Sequence, residues 1–453
     1  MCTVALGMAE FAHPRARARP WLPLALLAAL AVLSVAARVA WLGAPCRSPC
    51  ASTNDHVLIF DEDYYINAAR VIAGMRPPAG VPYAHAPLGD DPNAEHPQLA
   101  KLVMAGSIEL FGDGPLAWRF GSVVFGTVAI VGMYALARAA GGGPWVALGA
   151  AAFMATDNLL IVHGRIGTLD VYALAAMVWG AALYLRGRPL VGGLIVGVGA
   201  CAKEVAPYAL LALVLLEALL WLRTRTELKA RLLALGKCIV ASAVTVIALL
   251  WALNEIAPPY ADAAKQLVTG GPLGHITHII DYAAQETSPH GPQGIASYPW
   301  QWLLDIKPIT YLNINPSHPA AGLTDIHPAA HFLGMISPPI LLAGLLGLML
   351  ALLTAVARPR SIPPPSRSRA GLDELGTLAV AWFLGTFSPF ALASLLLDRT
   401  SYIYYMVIVM PGIYLAAVYL FARLRPPRVV SYVFAASVVA AAIVMYPLSP
   451  IAL

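Results

Sequence analysis

Three consecutive carboxylates followed by two aromatics, Asp61-Glu62-Asp63-Tyr64-Tyr65, are the strongest local chemical signal in the chain. Acids favour the first turn of a helix, where unpaired N–H groups carry partial positive charge, so a solvated helix start accounts for the run without any chemistry. The chemical alternative is a general base beside a binding carboxylate, placed where a hydroxyl acceptor would arrive. Further on, Glu95-His96-Pro97-Gln98-Leu99-Ala100-Lys101 and Gly112-Asp113-Gly114-Pro115 before Trp118-Arg119 read singly as a helix start, a turn and an interfacial anchor. Charged groups within or at the edge of apolar stretches are costly and therefore functional candidates, which singles out Asp157, Arg165, Asp170 and the pair Lys203-Glu204. Arg165 and Asp170 could simply form a structural ion pair. A Lys or Arg at this depth also suits a single anionic phosphate whose lipid tail lies between helices. In Asp398-Arg399-Thr400-Ser401-Tyr402-Ile403-Tyr404-Tyr405-Met406 the tyrosines are either an interface belt or a wall for sugar or lipid, with Arg399 as a phosphate ligand.

The elements that must position these residues are membrane helices. With 59% hydrophobic and 12% charged residues over 453 positions, the charged fraction is about half that of a soluble globular protein. Apolar blocks of roughly 15 to 25 residues, without the alternation of a β-barrel, give an all-α integral membrane chain of about eleven spans. They are expected at about 20–42, 118–137, 144–162, 168–185, 189–202, 205–222, 238–253, 331–357, 375–397, 401–422 and 429–450. The first block follows the basic tail Arg15, Arg17 and Arg19 and resembles a signal peptide in its flanks. Its length and the lack of a small-residue cleavage site favour a retained helix. The dense basic clusters, among them Arg186 and Arg188, Arg223 to Lys237, Arg358 to Arg369 and Arg423 to Arg428, fall in alternate connections. That pattern places the N-terminus in the cytoplasm. The net charge of +5 therefore marks topology rather than a nucleic-acid partner.

Four regions are expected: a cytoplasmic tail 1–19, a catalytic membrane region 20–253 with a first outer loop 43–117, a large outer loop 254–330, and C-terminal helices 331–453. Helix-like spacing in Tyr64 to Ile72 and Leu99 to Leu110 predicts two short surface helices. The second outer loop, rich in Pro, Gly, His and aromatics, is expected to be an ordered cap with little regular structure. Pro359 to Ala370 reads as a spacer. Of five cysteines only Cys46 and Cys50 are close, too few for a metal cluster; outside the membrane the two could be oxidised to a disulfide.

Taken in order, these motifs resemble the protein O-mannosyltransferases, the dolichyl or polyprenyl phosphate mannose dependent enzymes of the GT-C class. The likeness runs from about Phe60 to Pro411. Asp61-Glu62 before a Tyr-rich helix is similar to the family's first-loop motif, and His96-Pro97 with Leu99 and Lys101 to its His-Pro-Pro-Leu-(Gly/Ala)-Lys element. Gly112-Asp113 to Trp118-Arg119, Arg165 to Asp170, and Ser297-Tyr298-Pro299-Trp300-Gln301-Trp302 with Lys307-Pro308 and Tyr311 resemble three further elements. The chain departs from the pattern at Gln98, Glu204 and Tyr404-Tyr405-Met406, where the family usually has Pro, Trp and Tyr-His-Tyr.

The resemblance implies a GT-C bundle and an inverting transfer of mannose from polyprenyl phosphate mannose to Ser or Thr hydroxyls of exported polypeptides. It implies a catalytic pair Asp61 and Glu62, with Asp61 as base and Glu62 orienting sugar or acceptor. Arg165, Arg399 and Lys203 would balance the donor phosphate. His96, Tyr64, Asp170, Trp300, Trp302 and Tyr404 would contact sugar or acceptor, with no metal or cofactor required. The Ala, Arg and Pro-rich composition favours a bacterial plasma membrane, with the site on its outer face. Two other readings stand: a GT-C relative moving another lipid-carried sugar to a lipid or cell-wall glycan, and a transporter or flippase. Charges gathered at the outer boundary rather than at mid-membrane argue against the last.

Overall fold

A computed structural model describes residues 20–47, 50–314, 330–357 and 367–448. The basic tail 1–19 and most of the proline-rich spacer after Ala357 lie outside the described residues. Every expected span contains a helix: α1 (Leu22–Val39), α4 (Pro115–Ala139), α5 (Pro144–Thr156), α7 (Asp170–Leu185), α8 (Pro189–Ala200), α9 (Tyr208–Thr224), α10 (Leu228–Ile256), α13 (Pro338–Ala357), α14 (Arg367–Leu396), α15 (Met406–Leu424) and α16 (Arg428–Val444); the span expected at 331–357 is helical only from Pro338, its first residues forming a strand. Among the described residues, six helices are individually long and apolar enough to cross a bilayer. Proline in the first turn starts α4, α5 and α8, where its missing N–H costs nothing.

α15 is the hub, buried along almost its whole length and packed against α13, α14, α5 and α7. α10 lies at the other extreme, with most of its apolar side chains exposed, as a lipid-facing helix requires. Close backbone approach sets several crossings. A methyl group added at Gly347 of α13 would collide with the Ala416 backbone of α15, and one at Gly193 of α8 with Cys238 of α10. In lipid, where apolar burial gives little drive, such small-residue contacts are what packs helices.

The two long connections carry the elements that build the site. Between α1 and α4 stand α2 (Glu62–Ile72) and α3 (Leu99–Phe111), the two short helices expected from the apolar spacing. Cys46 and Cys50 are joined in a disulfide at the start of this connection. Between α10 and α13, regular structure exceeds the expectation of a largely irregular cap. A hairpin of β1 (Tyr260–Ala261) and β2 (Gln266–Leu267) is followed by the fifteen-residue α11 (Gly271–Gln285), the single turn α12 (Pro299–Trp302), and β3 (Ile309–Ile314) paired antiparallel with β4 (Ala330–Gly334). The Pro and Gly residues that suggested irregularity serve as starts and turns: Pro272 lies in the first turn of α11 and Pro299 in that of α12.

One expected span is interrupted. The 144–162 stretch breaks at Asp157, whose extended backbone ends α5 and whose carboxylate accepts from the Leu159 N–H at 2.9 Å, capping the short α6 (Asn158–His163). The break turns His163 and Thr168 toward the end of the bundle that carries α2.

Candidate active site

Asp61 occupies the N-cap position of α2, but its φ of −67° and ψ of −5° are helical and its side chain makes no capping bond. A capping carboxylate would accept from the N–H two or three residues on. The helix-start explanation therefore fails for Asp61. Phe60, just before it, adopts a φ of +58°, a left-handed conformation that costs a side-chain-bearing residue about 1–2 kcal/mol. Stacking on Tyr311 at a centroid distance of 4.2 Å and an edge contact with Tyr404 at 5.5 Å hold it there. Tyr311 is available because a register shift in the β3–β4 ladder falls between Thr310 and Leu312, which turns its side chain out of the strand pairing.

Around Asp61 the chain gathers charges from three further connections. Lys203, between α8 and α9, is 2.6 Å from Asp170 at the start of α7, and its ammonium lies over the Tyr404 ring at 5.4 Å. His163 stands 3.6 Å from Asp170 and shares a 2.9 Å hydrogen bond with the Tyr311 hydroxyl. His96 is bonded to Glu204 at 2.9 Å and meets Tyr65 edge-on at 5.8 Å. Burial pushes the Asp61 carboxyl up to about 6; Lys203 and His96 pull it down, while Asp170 pushes it further up. A half-buried carboxylate without a side-chain hydrogen bond, poised near neutrality, has the properties of a general base.

An aromatic wall faces this group. Tyr402 stacks on Tyr404 at 5.4 Å, Tyr404 meets Tyr405 at 4.8 Å, and Tyr405 stacks on Phe390 at 4.7 Å. Arg399, at the other edge of the wall, donates to the Glu286 carbonyl at 2.9 Å and to the Thr400 carbonyl at 3.2 Å. Among the described residues no carboxylate lies within ion-pair distance of it, so its charge is not neutralised locally.

Not every residue expected at the site faces it. Glu62 is fully buried, and its two oxygens accept from Arg119 Nε and Nη2 at 2.8 and 2.7 Å, from the Ile59 N–H at 2.7 Å and from the Gly167 N–H at 2.6 Å. With both oxygens so engaged it cannot orient sugar or acceptor, and it anchors α2 instead. Arg165 is likewise buried, donating to the carbonyls of Ala40 and Trp41 and to the Tyr446 hydroxyl, with Phe332 beneath it, so its donors are turned away from any donor phosphate. Nor does it pair with Asp170, whose partners are Lys203 and His163. Trp302 is 1% exposed, with its Nε1–H on the Ser297 hydroxyl; it backs Tyr405 and offers no free face for a sugar. Trp300 is exposed and stacked on Tyr298 at 4.4 Å, and Tyr64 is exposed toward Tyr83.

The structure thus brings together Asp61, His96, Asp170, Lys203 and Tyr404 from the expected set, with Arg399 at the rim. Glu204, singled out with Lys203, joins them through His96, and the structure adds Tyr65, His163 and Phe60. Tyr65 was one position from Tyr64, and only the phase of α2 distinguishes them. His163 had a signal in its place beside two intramembrane charges, which sequence order alone could not connect to Tyr311.

Comparisons with known proteins bear on the fold and on the middle of the chain. The sequence profile described as dolichyl-phosphate-mannose-protein mannosyltransferase matches residues 95–251. The polyprenol-phosphate-mannose–protein mannosyltransferase of Corynebacterium glutamicum is 33% identical over 116 residues, a stretch that spans 25% of this chain and only 22% of that relative. In fold, the chain is similar to the S. cerevisiae protein O-mannosyltransferase Pmt1–Pmt2 complex bound to the sugar donor, with a TM-score of 0.65 and 12% identity, covering 97% of this chain and 91% of the other. ArnT of Cupriavidus metallidurans bound to undecaprenyl phosphate follows with a TM-score of 0.50 and 17% identity over 89% of this chain and 60% of the other. The profile match covers about a third of the chain, and over nearly its whole length the fold is similar to that of the yeast protein O-mannosyltransferase complex.

Proposed function

We propose that the protein transfers mannose from polyprenyl phosphate mannose to Ser or Thr hydroxyls of polypeptides, on the outer face of the membrane, with inversion at the anomeric carbon. The observation that carries this reading is the Asp61 carboxylate, uncapped, half-buried and held near neutrality beside Lys203. A Ser or Thr hydroxyl is too weak an acid to ionise beforehand, so its proton passes to Asp61 as the oxygen attacks C1. The C1–O bond to phosphate breaks on the opposite side, and polyprenyl phosphate leaves with its charge balanced by Lys203 and Arg399. Tyr404 and its neighbours wall the sugar, and His96 stands on the acceptor side. The outer-face placement is supported by basic clusters Arg186 and Arg188, Arg223 to Lys229, and Arg423 to Arg428, which join helices at the ends away from Asp61.

The test is incubation of purified protein with labelled polyprenyl phosphate mannose and a Ser/Thr-rich peptide, with the product anomer determined by NMR. An α-mannosyl peptide from a β-linked donor is the expected result. Label that moves only to a lipid or glycan acceptor would overturn the polypeptide as acceptor, and turnover retained in Asp61→Asn would remove the base.

A further inference from the structure

Three oxygen-bearing side chains, Asp157, Asn158 and Asp305, bond the backbone of Leu333–Ser337, where β4 leads into α13, and Ser337 adds its own hydroxyl. Asp157, at the break between α5 and α6, accepts from Leu159 N–H at 2.9 Å, from the Tyr414 hydroxyl at 3.0 Å and from the Ser337 backbone. Asp305, in the connection before β3, accepts from the Ile336 N–H at 3.1 Å through one oxygen only. Asn158 donates both amide hydrogens, to the carbonyls of Leu333 at 2.8 Å and Met335 at 3.0 Å, which fixes the orientation of its amide and turns its oxygen away from them.

Three of these oxygens are buried and have no hydrogen-bond partner: Asp305 Oδ1, Asn158 Oδ1 and Ser337 Oγ. Asn158 and Ser337 are 1% and 0% exposed. A buried acceptor left unmatched costs free energy; three of them beside one three-residue stretch of backbone, together with two carboxylates, are a donor set that asks for a positive charge. Asp305 itself adopts a φ of +53°, so its carboxylate is held in place at a conformational cost.

We infer that Asp157, Asn158, Asp305 and Ser337 form a site for one hard divalent cation, of the calcium or magnesium type, that fastens the β3–β4 hairpin to the break between α5 and α6. The donors are two carboxylates, an amide oxygen and a hydroxyl, with no imidazole or thiolate among them, which selects against zinc and copper. The charge of the two carboxylates matches a divalent ion. Its role is structural: the same hairpin carries Tyr311, which supports Phe60 and His163, and no reacting group of the proposed transfer belongs to the set.

The experiment needs no activity. Full-length protein in detergent, stripped by dialysis against EDTA and then a chelating resin, is melted by tryptophan fluorescence with 1 mM CaCl2, with 1 mM MgCl2, or with KCl at matched ionic strength. Its bound metal after equilibrium dialysis is measured by mass spectrometry. The expected result is about one equivalent of calcium or magnesium per chain and a melting shift of several degrees over KCl. Both should be absent in Asp305→Asn and weakened in Ser337→Ala, a change that removes one ligand without adding charge. Wild-type protein that retains no metal, or a shift equal in Asp305→Asn, overturns the site.

Discussion

At the scale of single residues, two adjacent carboxylates are separated into different roles by their surroundings. Glu62 meets four donors and Asp61 meets none through its side chain. Asp61→Asn should lower turnover by about 10²–10⁴-fold, the usual range for loss of a general base, while the protein remains folded in a thermal melt. Glu62→Gln should instead reduce the yield of folded protein, since breaking a buried ion pair costs roughly 3–5 kcal/mol and strands Arg119. The pH profile gives a second check. A base with its carboxyl at about 6 is protonated and inactive below that value, so kcat/KM should rise through pH 6, lose this limb in Asp61→Asn and keep a shifted limb in Asp61→Glu. The sign for stability runs the other way: burial holds the folded value above the ordinary 3.8, so the stability contributed by Asp61 falls as pH rises from about 4 to about 6. Which of the two acids was the candidate base was legible only through the family likeness. Local spacing could not show it, because the groups that occupy Glu62 come from residues 59, 119 and 167.

At the scale of elements, Arg119 of α4 ties the first connection together. Beyond Glu62, it donates to the carbonyls of Leu42, Ala44 and Val57, which lie on either side of the Cys46–Cys50 loop. Closing so short a loop is worth about 2 kcal/mol in the chain-entropy account. Replacing both cysteines by serine should therefore lower the melting temperature and reduce turnover, without shifting the pH 6 limb that belongs to Asp61. Tyr311→Phe probes the hairpin: it keeps the stack on Phe60 but removes the bond to His163, a loss of about 0.5–1.5 kcal/mol that a denaturation curve would register. The spans and the two short helices were legible in the sequence, because apolar length and 3.6-residue spacing are local properties. The break at Asp157 and the β3–β4 hairpin were not. A capping side chain inside an apolar run, and a strand pairing across the chain, are decided by contacts that local pattern does not contain.

At the scale of the whole molecule, the site is made where the connections α1–α4, α6–α7, α8–α9 and α14–α15 meet at one end of the bundle. The stretch matched by the family profile, 95–251, includes His96, Asp170, Lys203 and Glu204, but Asp61, Arg399 and Tyr404 fall outside it. If Arg399 and Lys203 share the donor phosphate, Arg399→Ala should raise KM for the lipid donor by roughly 10–100-fold, the range of one charge-assisted hydrogen bond, and leave KM for the peptide nearly unchanged. Charge alternation between successive connections made the two-sided architecture legible from sequence, whereas the meeting of residues 61, 203 and 404 depends on how α15 threads the centre of the bundle.

That threading bears on when the molecule can first act. The ribosome releases Asp61 long before Tyr404, and α15 fills a space framed by α5, α7, α13 and α14. A nascent chain stalled before residue 402 would thus hold Asp61 and Lys203 with no aromatic wall beside them. The site is therefore complete only once α15 is seated, and a half-inserted polypeptide lacks it.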